Sequence, residues 1–143
     1  MAAPERRDLL GLLGPLYRNL RRAEERCAQE SGLSMWQYAV LSVAAREEGQ
    51  SQTQLADRLG YSRNRIVGDL DVLQARGLAE RRTDADRRRN SIHATRAGAA
   101  VVAEIQRAIW AAEDELLADL PAGGRASLQS LLEHVGARPE PRG

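Results

Sequence analysis

Apolar positions recur along this chain in steps of three and four almost from its start. Leu9, Leu13, Leu16, Leu20, Ala23 and Cys27 form one stripe down a helix predicted over residues 8–28. Pro15 falls inside that stripe, so the pattern allows either a kink there or a main body that begins there, with proline near its first turn. Gly32 closes the segment, and Ser34 supplies an N-cap for the next one. In SMWQYAVLSVAAREE, residues Trp36, Val40, Leu41 and Ala44 fall on the side predicted to bury, and Gly49 ends the run.

Two shorter elements follow. Ser51 and Gln54 stand at capping-box spacing, Leu55, Ala56 and Leu59 are predicted to bury, and Gly60 stops the helix. YSRNRIVGDLDVLQARG begins at once, with Ser62 as cap, Ile66, Leu70 and Leu73 turned inward, and Gly77 at its end. Two short helices separated by a few residues with a glycine make the helix-turn-helix pattern, though spacing alone leaves it common to many helical proteins. LAERR and NSIHA read as two short strands around the tip TDADRRR, more from position than from β propensity. A long helix starts near Thr95 and keeps its period through Val101 or Val102, Ile105, Ile109, Ala112 and Leu116 to about Leu120. PAGG is a turn. Leu128, Leu131, Leu132 and Val135 mark a last short helix, followed by a polar tail.

The fold class is therefore mainly α, a winged helix-turn-helix with helices at both ends and a short β-wing. No internal repeat or interdomain linker divides the 143 residues, which are enough to bury a core without disulfides or metals. The single cysteine, Cys27, forms no internal disulfide, which suits a reducing compartment. MAAPERRDLL has no secretory pattern, and no apolar run approaches the ~18 residues of a membrane span. A soluble, cytoplasmic protein is expected. His93 and His134 stand far apart and no Cys/His cluster exists, so no metal site is expected. No nucleophile motif, phosphate loop or catalytic carboxylate pair appears, so neither an enzyme nor a cofactor is expected.

Net charge is only +1, but it is unevenly spread. Residues 1–57 hold 7 Arg and 8 acids, residues 58–96 hold 10 Arg and 5 acids, and residues 97–143 hold 4 Arg and 7 acids. A central block of +5 between acidic flanks is the footprint of a polyanion site. Every basic residue is arginine, a planar fork suited to phosphate and base edges.

In a winged helix-turn-helix the second helix enters the major groove by its N-terminal residues, here Ser62, Arg63, Asn64 and Arg65. Arginine pairs with guanine O6 and N7, asparagine with adenine N6 and N7. Gly68 permits close approach to the duplex. The bland alternative is a solvated amphipathic helix. The arginine-dense tip can reach an adjacent minor groove, whose negative potential attracts arginine, or it can be an exposed hairpin of screened ion pairs.

The stretch RRTDADRRRNSIHATRAG resembles the wing of the MarR family of bacterial transcription regulators. That wing typically reads D-x-x-D-R-R, a few variable residues, then an aliphatic residue, x, and Leu-Thr-x-x-Gly. Asp86, Arg87, Arg88, Ile92, Thr95 and Gly98 fall on this pattern, as Leu73, Gly77, Leu78 and Arg81 do on the L-x-x-x-G-L-x-x-R before it. The resemblance covers about residues 8 to 136. Thr83, Asp84 and Ala94 depart from it, where aspartate, proline and leucine are common, and Asp84 has no assigned role.

The resemblance implies a homodimer on a palindromic double-stranded operator. Residues 34–98 would form the winged DNA-binding lobe, and 8–32 and 99–136 the dimerisation helices. It implies that Arg88 enters the minor groove braced by Asp86, and that Arg87 and Arg89 contact phosphate. It also implies a small-molecule effector, often an aromatic acid, in a cleft near Trp36 and Tyr38, with Arg18 as a carboxylate partner; ordinary packing is the alternative for each. One branch of the family senses oxidants through a thiol near the start of its first helix. Cys27 lies near the end and on the apolar stripe, where a small buried hydrophobe is expected. The expectation is a dimeric, ligand-released repressor. A winged-helix protein-interaction module without DNA binding stays open beside it.

Overall fold

The computed structural model describes residues 5–83 and 90–136. Six helices and three strands follow in order. They are α1 (Leu9–Glu30), α2 (Met35–Arg46), β1 (Gln50–Ser51), α3 (Gln52–Leu59), α4 (Arg63–Ala75), β2 (Ala79–Thr83), β3 (Asn90–Ala94), α5 (Arg96–Leu116) and α6 (Gly124–Gly136).

Four helices start on a hydroxyl cap. Ser34 and Ser51 each accept a bond from the backbone N–H three residues on, while the side chains of Gln37 and Gln54 accept from the caps' own N–H groups. Both ends of each capping box are thus satisfied. Ser62 caps α4 and Thr95 caps α5. Gly60 ends α3 at φ 66°, a left-handed conformation that glycine adopts without strain. α1 runs through Pro15 as one helix rather than starting there.

The sheet has the order β1-β3-β2 and is antiparallel throughout. β2 and β3 pair from Ala79↔Ala94 to Thr83↔Asn90, as the wing reading requires. β1, which the sequence pattern did not predict, pairs Gln50 with Ile92 and Ser51 with Ser91 on the other edge. Two residues are too short to show alternation.

The core lies where α2, α3, α4 and β3 converge, and continues between α1 and α5. Val40, Leu41, Leu55, Ile66, Leu70, Leu73, Ile92 and Ile105 are its most deeply buried large side chains. Of the two α5 valines, Val102 is buried and Val101 half-buried. Only Ala23, Cys27 and Ala28 of α1 are buried, and α6 buries no residue. Leu9, Leu10, Leu12, Leu13, Tyr17, Trp110, Leu131, Leu132 and Val135 are exposed.

α5 is fastened to the end of the helix-turn-helix. Thr95 Oγ1 donates to the Gly77 carbonyl at 2.6 Å and accepts from the Gly98 N–H at 3.0 Å, while the Thr95 N–H donates to the Leu78 carbonyl at 3.0 Å. A Cβ at Gly98 would lie 1.9 Å from that same carbonyl oxygen, so only glycine lets the helix come this close. The Thr-x-x-Gly spacing thus has a packing cause. Among the described residues, no helix is long and apolar enough to cross a membrane.

Candidate nucleic-acid interface

α3 and α4 form a helix-turn-helix held from behind by α2. Ile66, Leu70 and Leu73 bury one face of α4 completely, which fixes its rotation about its own axis. The other face, with Ser62, Arg63, Asn64, Arg65, Val67 and Gly68, is exposed. Ser62 Oγ accepts the Arg65 N–H at 3.4 Å and so caps the helix where its exposed first turn begins. A Cβ at Gly68 would meet nothing within 4 Å, so close approach from outside is unobstructed there.

Arg65 is also tied inward. Its guanidinium stands 4.6 Å from the Trp36 ring centroid and 5.4 Å from that of Tyr61, and the two rings meet edge to face at 4.7 Å. Arg21 of α1 approaches the same Trp36 ring at 5.7 Å. Cation–π contact with the indole links α1, α2 and the start of α4. Burial pushes the Tyr61 hydroxyl up to about 12, against the opposing pull of Arg65. Burial also raises the Asp69 carboxyl, again against Arg65, and its Oδ2 is buried without a hydrogen-bond partner among the described residues. The Glu24 carboxyl is raised by burial and then by the nearby charge of Glu113.

Of the residues read as an effector cleft, Trp36 is the half-buried centre of this cluster, whereas Tyr38 lies buried in the core. Arg18 is exposed, and the cation beside Trp36 from α1 is Arg21. A separate cavity of about 330 Å³ opens between α1, α5 and α6, lined by Leu20, Trp110, Leu128, Leu132 and Arg125. Arg125 is engaged there by Glu113 at 2.7 Å and Gln129 at 2.9 Å. Cys27 is buried in the core, and burial pushes its thiol up, away from the reactive thiolate.

Two arginines that the pattern did not mark as functional hold α4 in place. Arg76 donates to the Gly32 carbonyl at 2.8 Å and to the Ser31 carbonyl at 3.3 Å, pinning the end of α4 to the turn between α1 and α2. Arg81 on β2 reaches across to Gln74, Asp71 and the Val67 carbonyl. Such pairings join residues remote in the sequence, and only the L-x-x-x-G-L-x-x-R spacing had singled Arg81 out. Asp84, Asp86, Arg87, Arg88 and Arg89, the wing-tip residues, lie outside the described residues. Among the described residues no group of three or more His, Cys, Asp or Glu could hold a metal ion.

The sequence profile of the MarR family matches residues 31–89, from the end of α1 through the wing tip. A protein assigned to transcriptional regulation of the hcr operon in Thauera aromatica is 32% identical over 105 residues, or 73% of this chain. The match covers 63% of that relative, so the chain spans less than two thirds of its length. A MarR-family transcriptional regulator from Rhodococcus sp. RHA1 is 27% identical in structure-based alignment, with a TM-score of 0.76 over 90% of each chain. The transcriptional repressor CouR of Rhodococcus jostii RHA1, solved on a 23-mer DNA duplex, is 28% identical with a TM-score of 0.75, over 87% of this chain and 89% of CouR.

Proposed function

The chain belongs to the MarR family of transcriptional regulators, and from that premise we propose that it represses transcription as a homodimer bound to a palindromic operator. The observation that carries this reading is the first turn of α4. Ser62, Arg63, Asn64, Arg65 and Gly68 stand exposed on a helix whose other face is locked into the core. A helix so held presents side chains to base edges in a defined register. Asn64 has the donor and acceptor to read adenine, and Arg63 the fork to read guanine. In this reading Arg87 and Arg89 contact phosphate, and Arg88, braced by Asp86, enters the minor groove. Binding of a DNA duplex by CouR supports the same assignment.

The partner is a second copy of the chain. The exposed leucines of α1 and the exposed Leu131, Leu132 and Val135 of α6 leave two apolar faces that one chain does not cover. Burying them against their counterparts in a two-fold dimer would set the two α4 helices on one side of the assembly.

The effector is an aromatic acid taken up beside Trp36. There Trp36 and Tyr61 offer ring faces, and Arg21 and Arg65 offer cations. Because Arg65 belongs to α4, an anion competing for it would bear directly on the first turn of the DNA-reading helix. The ligand acts only through the difference in its affinity for the two arrangements of that turn.

A mobility-shift assay on the region upstream of the chain's own gene, run at two salt concentrations, tests the first part. Specific retention with a steep salt dependence is expected; no preference over random duplex refutes it. Calorimetry with a hydroxybenzoate tests the effector. Heat of binding in the wild type, lost in Trp36→Ala, is expected, and no heat in the wild type removes that part.

A further inference from the structure

We infer that Arg81 is a positioning residue that sets the angle between the wing and the DNA-reading helix. The inference rests on the DNA-binding reading above and names how that site is held in shape. Arg81 sits in the middle of β2, paired with Ile92, two residues before the strand ends at Thr83. Its guanidinium donates to Gln74 Oε1 at 2.7 Å, to Asp71 Oδ1 at 2.8 Å and to the Val67 carbonyl at 3.4 Å. Those acceptors run along two turns of α4, from just behind Asn64 and Arg65 to its last turn. One planar fork thus spans the helix that would read the major groove, from the strand that leads to the wing tip.

The contact orients α4 on the sheet more than its charge pair stabilises the fold. The Asp71 side chain is 62% exposed and that of Arg81 20%, so solvent screens the charge pair. Arg81 Nε is buried and finds no partner among the described residues, so the side chain reaches the helix at the expense of one of its own donors. β2 also carries Arg82, whose guanidinium pairs, among the described residues, with Glu80 on the same strand and not with α4. Lysine in place of Arg81 would keep the charge but, as a point donor, could not bridge the three acceptors in one plane.

The test uses the full chain and a palindromic duplex selected from a random library by the wild-type protein. Affinities are measured on that duplex, on versions altered at the flanks beneath the wings, and on versions altered beneath α4. In the wild type each altered base pair should cost ~10-fold. In Arg81→Gln, flank changes should cost no more than ~2-fold, while changes beneath α4 keep their full cost. Asp71→Asn should show the same pattern more weakly, and Arg81→Lys should fall between wild type and Arg81→Gln. Thermal melting of all three variants should stay close to the wild type. Equal loss on every duplex, or melting that falls in step with affinity, would show a merely structural role and overturn the inference. A wild type that selects no duplex above random overturns the DNA-binding reading and this inference together; Arg81→Gln that discriminates like the wild type overturns the inference alone.

Discussion

In α4, Ile66, Leu70 and Leu73 recur at helical spacing and are at most 1% exposed; in α1, Leu9 and Leu13 recur at the same spacing and are 72% and 41% exposed. In the sequence the two stripes look alike. They differ in what lies opposite. α4 faces α2 and β2 within the chain, whereas the first turns of α1 stay exposed and α6, joined to α5 through Arg125, buries no residue among the described residues. Periodicity therefore identifies a face that must be covered, and it leaves open whether the cover is intramolecular. The helix-turn-helix is finished by its own chain, and in the proposed dimer the terminal helices would be finished by a second one.

Substitutions can break that contrast. Leu73→Ala should remove about 2–5 kcal/mol of stability, as truncation of a fully buried leucine does, and urea melts should give the same loss at every protein concentration. Leu131→Asp combined with Leu132→Asp should leave the chain folded and release monomers, seen by sedimentation. If the double variant unfolded at all concentrations, α6 would belong to the core of one chain and the contrast would vanish.

Gly98→Ala comes next. It drives a methyl group into the Leu78 carbonyl and should cost about 1–3 kcal/mol, near the top of the range for an overpacked site. An unchanged melting temperature would mean that α5 is not fastened at that point. On DNA, Asn64→Ala should cost ~1–3 kcal/mol at particular base pairs and relax specificity there, while Arg87→Ala should weaken every duplex alike and flatten the salt dependence. Sequence-blind losses from both would contradict base reading by Asn64.

The smallest effect belongs to Glu24. Its carboxyl is raised by burial and by Glu113, so the folded state disfavours the charged form. The resulting penalty is absent below the ordinary carboxylate range, grows as pH rises through it, and is complete above the folded value. Glu24→Gln should therefore melt slightly higher than wild type near neutral pH and converge with it in acid. Convergence in the opposite direction would mean that Glu24 is stabilised by a partner.

The helices of the lobe were legible because they carry local start and stop signals. Ser51 with Gln54, Ser62 before Ile66, and Gly60 are local signals, and the structure places caps and a left-handed turn there. NSIHA was legible as a strand from its position after LAERR, and β2 begins one residue later than that segment. The harder features join remote residues. β1 is defined only by its partner, β3, and Arg76 by carbonyls more than forty positions away. Tyr38 carries the same aromatic signal as Trp36, yet one lies in the core and the other between arginines; neighbours from α1 and α4 decide that, not α2. The exposed first turn of α4 was legible from cap and period together, since once three residues face inward the rest must face out.

The fastening at Thr95 and Gly98 makes α5 a lever. α5 has 21 residues and is rigidly joined to the end of the helix-turn-helix at its first turn. At ~1.5 Å per residue it is ~31 Å long, so a tilt of ~5° about its Leu116 end carries its first turn through ~3 Å. The lobe has no hinge at that junction and must travel with the helix. A change in how two copies meet at the far end would thus alter the distance between their α4 helices without disturbing a single contact within either lobe.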